Sequence, residues 1–438
     1  MVRELATVLA ICAVGATAAA FAHGFVLAGE AMLDLWAETR KPADAALRMP
    51  PAAVVAVVLL ATVVSAGIAR LSRRAGSGRT GLGHVKLALD GDPADVASVR
   101  PSLRATLVRA AGTFASSVGL TSIGRETAMI ETGGALGATV GQRYRLGPTL
   151  AVAGVAAAFT GAYTAPLGAL AYADDHIGIR HNRRVGAHAL LGAAAGFTTS
   201  ALLWERHTVL PHPDTVAPGM VVTALVVVVP VTLAARVLFR LRRAAERATP
   251  RFGGTMWLGC ALVAALSVGV ARAAAGNGMN SMALAAAEPV LWAAVGLAVF
   301  RVTGMLAALA AGVPGGVILP TMAIAAGWGL LTVIAVERLG VELPGSRWDA
   351  MILAAAIGVA VGLRAPLLAA VLLPEMVGDY LLLPLTAVAV CLAVGVDRMI
   401  TRWQPRRRIT ARRRGAHPSP GFGDGRDPFA GVAAAAGQ

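Results

Sequence analysis

The chain has 438 residues, 56% of them hydrophobic and 14% charged, with a net charge of +15 and a mean hydropathy of +0.68. An average soluble domain carries about 25% charged residues, so this composition excludes an ordinary water-soluble enzyme and makes the bilayer the natural solvent. The positive charge sits in clusters without interleaved aromatics, which excludes a nucleic-acid partner.

The first apolar run, Leu5 to Ala22, starts almost at Met1. Glu4 beside Arg3 weakens a leader's charged region, and the run exceeds the roughly 7–15 residues of a signal-peptide core, so a first transmembrane helix is expected. Ala52 to Ala69 approaches the roughly 20 residues that cross a hydrocarbon layer. After it comes Gly76 to Gly83, GSGRTGLG, which meets the dinucleotide spacing G-x-G-x-x-G. That fingerprint requires a strand and a βαβ unit, whereas a membrane-length helix and Arg73-Arg74 precede this one. What remains is a Gly-rich backbone able to aim free N–H groups at an anion, with Ser77 adding a hydroxyl.

Phe114 to Ile123 and Ala128 to Val140 flank Gly124-Arg125-Glu126-Thr127. A carboxylate inside the membrane is costly and marks function by default. Adjacent residues on a helix do not face one another, so Arg125 is a poor internal partner for Glu126. Glu131, a turn further on, is a second candidate with a packing role equally open.

Ala165-Pro166-Leu167 opens a short apolar segment that ends at Asp175-His176 and a basic loop, Ile179 to Arg184. Val221 to Leu238 and Met256 to Ala271 follow, then Gly276-Asn277-Gly278. Gly315-Gly316 leads the half-helix Val317 to Ala326, which offers unpaired amides to an anion or simply packs tightly. Ala365-Pro366-Leu367 then opens a last short segment containing Glu375.

Two of these features recur at one offset, since 276 − 76 and 365 − 165 are both 200, and an acid follows each Pro by nine positions. The loop after Asp175 is basic and the loop after Glu375 is not, so the copies end on opposite sides. Segments 128–140, 166–173, 317–326 and 366–373 are too short to cross alone, and broken helices are tolerated where they line a buried site. The expected fold is an all-α polytopic membrane protein of two inverted-topology repeats of tilted and broken helices. The first repeat is 1–212, the second 213–404, and 405–438 is a basic, disordered cytoplasmic tail.

Basic clusters at Arg70 to Arg74, Arg180 to Arg184, Arg236 to Arg251 and Arg402 to Arg414 place those ends and both termini in the cytoplasm. Cys12, Cys260 and Cys391 each stand alone in apolar sequence, without metal or redox spacing. No cofactor or metal is expected.

Three motifs resemble those of the CLC family of chloride channels and chloride/proton antiporters. Gly76-Ser77-Gly78 matches the start of G-S-G-I-P, Gly124-Arg125-Glu126 the start of G-R/K-E-G-P, and Gly316 to Pro320 the pattern G-x-F-x-P with Ile318 for the aromatic. The similarity covers roughly Leu5 to Trp403. It implies an anion site of the Ser77 hydroxyl, Gly78 and the amides of Val317 and Ile318, with chloride as cargo and Glu126 as gate and proton acceptor. An inner proton relay would fall on His176, or on Asp175 if the register slips by one. The imidazole ordinarily titrates nearest neutral pH. The family's pore tyrosine has no counterpart at Asp397 to Ile400.

Resemblance further implies a homodimer with one pore per subunit, in a bacterial inner membrane. A passive chloride channel is the nearest alternative. An intramembrane metal enzyme built on Asp175, His176 and His181 is a remote one, since H-E-x-x-H is absent.

Overall fold

The computed structural model describes residues 2–74, 102–203, 210–211, 219–248, 255–287 and 291–403. Ser77, Gly78 and the 405–438 tail lie outside the described residues. Residues Met1–Met399 form one compact unit, and the architecture below is that of this unit.

Apart from one isolated bridge, the regular structure among the described residues is helical. In order these are α1 (Val2–Ala37), α2 (Pro42–Arg48), α3 (Pro51–Arg74), α4 (Leu103–Val118), α5 (Glu126–Arg143), α6 (Thr149–Tyr163), α7 (Pro166–Ile177) and α8 (Arg183–Leu203). Then come α9 (Met220–Ala248), α10 (Met256–Val270), α11 (Met279–Ala287) and α12 (Leu291–Ala311), which contains a π turn at Gly296–Phe300. The last four are α13 (Ile318–Arg338), α14 (Arg347–Gly362), α15 (Pro366–Val377) and α16 (Leu383–Trp403).

Seven helical segments among the described residues are long and apolar enough to cross a membrane. Along α9 the buried face carries Thr223, Ala224, Val227 and Val231, while Leu225, Val229, Leu233 and Val237 are exposed at helical spacing. A soluble helix reverses that preference; an outward apolar stripe of this length is stable only against lipid. The chain is a multi-pass integral membrane protein.

Small residues set how closely the helices approach. Gly133, Gly137 and Gly141 of α5 face Gly154, Leu150 and Gly147 on and before α6, and a Cβ at any of the three would collide with the opposing carbonyl oxygen. Because lipid gives helices no hydrophobic reason to associate, such close van der Waals contact drives their packing.

The 200-residue repeat has a backbone signature. Thr164 (φ 54°) and Arg364 (φ 56°) are both left-handed at the breaks before α7 and α15. A non-glycine residue held there is strained, so the same strain at equivalent positions marks a shared design. Gly178 (φ 79°) and Gly378 (φ 81°) end the two short helices in the same conformation, which glycine adopts freely. The helices preceding the breaks are the most buried in each half. In α6 nearly every residue from Leu150 to Gly161 is buried, and in α14 every residue from Trp348 to Gly362.

Candidate functional site

Two glycines from opposite halves join the site. Gly124 N–H donates to the Gly316 carbonyl (2.8 Å) and Gly316 N–H to the Gly124 carbonyl (2.7 Å), an isolated antiparallel bridge. It brings the first turns of α5 and α13 together. A Cβ on either glycine would overlap the Glu126 carboxyl group, so both positions are bare because that side chain fills the space.

Glu126 is fully buried. Its Oε1 accepts the amide hydrogens of Ile318 (3.0 Å) and Leu319 (3.4 Å) at the start of α13. Helix N-termini present unpaired N–H groups and a partial positive charge, which suits an anion. Here a tethered carboxylate holds that seat. Its Oε2 has no partner among the described residues, so one oxygen is anchored and the other is available. Arg125, adjacent in the chain, makes its ion pair with Glu30 of α1 at 3.3 Å. Glu131 faces Arg109 of α4 at 3.4 Å and joins α4 to α5.

Of the Val317 and Ile318 amides that the resemblance assigns to the anion, Ile318 is one of the two that hold Glu126. Val317 precedes the helix, at φ −121° and ψ −2°, and its N–H is not among the bonds to the carboxylate.

Asp175 and His176, at the end of α7, have different surroundings. Asp175 Oδ2 accepts the Leu368 amide of α15 at 2.8 Å. In the equivalent place Glu375 accepts the amides of Leu167 (3.0 Å) and Gly168 (2.6 Å) of α7. The two short helices therefore run antiparallel and cap each other's N-termini. The His176 ring lies 4.4 Å from that of Tyr172, and its Nδ1 is 3.1 Å from the Tyr172 carbonyl. Among the described residues no three His, Cys, Asp or Glu side chains gather to hold a metal.

The sequence-family model for the voltage gated chloride channel matches residues 60–398. The chain belongs to this CLC family. No curated protein matches it in sequence. The fold is that of solved CLC structures. A slow cyanobacterial Cl⁻/H⁺ antiporter is 20% identical with a TM-score of 0.70, over 91% of this chain and 99% of that one. A CLC-type fluoride/proton antiporter is 18% identical at 0.69, over 90% and 96%. A eukaryotic CLC transporter is 21% identical at 0.67, over 91% of this chain and 72% of that one.

Two polar groups of this CLC protein have no obvious sequence signal or one easily passed over. The α5–α6 register, continued seven residues from Gly133 to Glu126, advances α6 from its Gly154–Ala158 contact to the level of Tyr163. Tyr163 is 2% exposed, belongs to the same buried cluster as Ile318 and Leu319, and its hydroxyl has no partner among the described residues. Arg301 is fully buried on α12. It donates to the carbonyls of Gly276 (2.7 Å), Ala273 (2.8 Å) and Ala275 (2.9 Å) and to Ser281 Oγ (3.0 Å), pinning the Gly276-Asn277-Gly278 turn. All four acceptors are neutral. The region expected to hold a pore tyrosine instead anchors two helices, as Asp397 of α16 binds the Arg236 guanidinium of α9.

Proposed function

We propose that this protein exchanges chloride for protons, with Glu126 as the shared element. The observation that carries the reading is the Glu126 carboxylate on the Ile318 and Leu319 amides. Ionised, it mimics the anion and fills the helix-terminal seat. Protonated, it loses the charge that holds it there and turns away, so an anion takes its place on the same N–H groups. One proton taken up thus admits one anion at this position, and competition between them is the coupling.

Ser77 and Gly78 would complete the seat from the first repeat, with Val317 as its outer edge and Ile318 at its centre. Tyr163 supports the reading as a buried donor without a partner at the level of the gate. His176 serves as the inner proton relay, because its imidazole stands at the helix end while Asp175 is occupied with a backbone amide. Resemblance to the family supports a homodimer, both termini in the cytoplasm and a bacterial inner membrane, with the domain limits 1–212, 213–404 and 405–438.

The test is paired flux in proteoliposomes. A chloride gradient should drive protons uphill, and a lumen whose pH does not respond would overturn the reading. The second reading, a passive chloride channel, is favoured by the absence of tyrosine at Asp397 to Ile400; in that case chloride moves and pH does not.

A further inference from the structure

Away from the gate, an apolar groove of about 740 Å³ runs between α1 and the end of α5. Ala6, Ala10, Ala13 and Thr17 form its floor at helical spacing, and their short side chains leave a trough beside Leu136, Val140 and Leu146. Ala6, Ala13 and Thr17 are exposed, so the trough opens outward, where this membrane protein meets lipid. From Ala6 to Thr17 is 17 − 6 = 11 positions, a rise of about 16 Å at roughly 1.5 Å each. That is the depth of one leaflet, half of a hydrocarbon core of about 30 Å. The two ends of the groove differ. Leu136 packs with Ala18, Ala157 and Ala158, whereas Val140 and Leu146 pack at the level of Ile11 and Val14. Tyr144 and Arg145, both exposed, therefore lie at the Ala6 end and form its mouth. Tyrosine suits the headgroup level of a bilayer.

Arg145 stands where glycine is usual. Leu146 N–H donates to the Gly141 carbonyl (2.9 Å) and Arg145 N–H to that of Gln142 (3.3 Å), the paired bonds that close a helix around a left-handed residue. That residue is Arg145, at φ 55°. The conformation strains residues other than glycine, and its persistence points to a use for the side chain. The guanidinium pairs with no carboxylate among the described residues. We propose that the groove binds one phospholipid with a net negative headgroup, its acyl chain along α1 and its phosphate on Arg145. A trough gives the chain van der Waals contacts on several sides, and an arginine at headgroup level favours an anionic lipid by about fivefold. The proposal does not depend on the exchange reading.

Native mass spectrometry of the full chain in detergent, with phosphatidylglycerol or phosphatidylcholine of the same acyl chains added, tests it. The wild type should retain one phosphatidylglycerol per chain at about fivefold lower lipid concentration than phosphatidylcholine. Arg145→Gly should bring the two lipids to parity. Its melting temperature without added lipid should hold or rise, because glycine relieves the left-handed strain; an arginine kept for the fold alone predicts a lower melt and an unchanged preference. Ala13→Phe should fill the groove and lose both lipids, and Ala6→Phe repeats this near the mouth if the first variant folds poorly. Glycerol phosphate, a headgroup without tails, should not be retained. Equal retention of the two lipids by the wild type, a wild-type preference in Arg145→Gly, wild-type retention in the filled groove, or retention of glycerol phosphate overturns the proposal. So does a change in the number of chains per particle on filling the groove, since a second copy would then be its occupant.

Discussion

Asp175 and Glu375, at equivalent positions of the two repeats, each accept backbone hydrogen bonds from the first turn of the other's helix. Both helices begin with Pro, whose missing N–H leaves fewer amides to satisfy, and the partner carboxylate reaches the next ones. The arrangement gives Asp175 a structural partner, the Leu368 amide, and under the proposed exchange the relay falls to the adjacent imidazole.

Asp175→Asn should therefore lower stability by about 1 kcal/mol, the usual scale of a lost cap, and Glu375→Gln should do the same. Thermal melts in detergent read this. His176→Ala should leave the melt nearly unchanged and slow proton flux several-fold relative to chloride flux. The reverse pattern would assign the relay to Asp175.

Glu126→Gln should abolish proton movement and leave chloride flux. The sign of the pH dependence follows from competition. If the ionised carboxylate excludes the anion, as proposed, chloride binding in the wild type should strengthen as pH falls, and the Gln variant should lose that dependence. Chloride titrations at several pH values measure it.

Tyr163→Phe separates two accounts of an orphaned hydroxyl. A buried unpaired hydroxyl is unfavourable by about 1–3 kcal/mol, so its removal should leave the anion-free protein as stable or more so. Chloride affinity should nonetheless fall several-fold. An unchanged affinity would remove Tyr163 from the site.

Gly137→Val should force α5 and α6 apart at a point where backbone meets backbone. Overpacking of this kind is destabilising by about 1–3 kcal/mol or more, and the loss should appear in yield and melting temperature. Gly24→Ala, where an added Cβ meets nothing within 4 Å, is the control and should behave as wild type.

Arg301→Met should be the most damaging change outside the site. It leaves the Gly276 and Ala273 carbonyls without their donor in a buried turn, each unpaired group being unfavourable by about 1–3 kcal/mol, while the Ala275 carbonyl and Ser281 Oγ keep only the 3.4 Å bond between them. Arg301→Lys should recover part of the loss, because an ammonium reaches fewer of the four acceptors. Expression and detergent melts of both variants measure it.

Much of this was legible in the sequence. The 200-residue offset predicted paired helix breaks, and Thr164 with Arg364 realises them in one backbone conformation. Glu126 stood out because a charge between apolar segments must have a reason. The Gly315-Gly316 start signalled a helix N-terminus but not which amides the carboxylate reaches, since that depends on side-chain length and the angle between α5 and α13. Tyr163 was silent because its place follows from the register of two helices. Arg301 had a signal, a lone charge between Phe300 and Val302, whose neutral partners only the folded turn reveals.

The glycine bridge has a consequence for how the protein is made. Gly124 and Gly316 are 316 − 124 = 192 residues apart, so at about 5–20 residues per second the ribosome needs roughly 10–40 s to supply the second after the first. Throughout that interval the nascent chain holds Glu126 without the amides that will receive it. No fragment ending before α13 carries both the carboxylate and the amides that receive it, so neither repeat expressed alone inherits this contact, and closing the bridge is a late step of assembly.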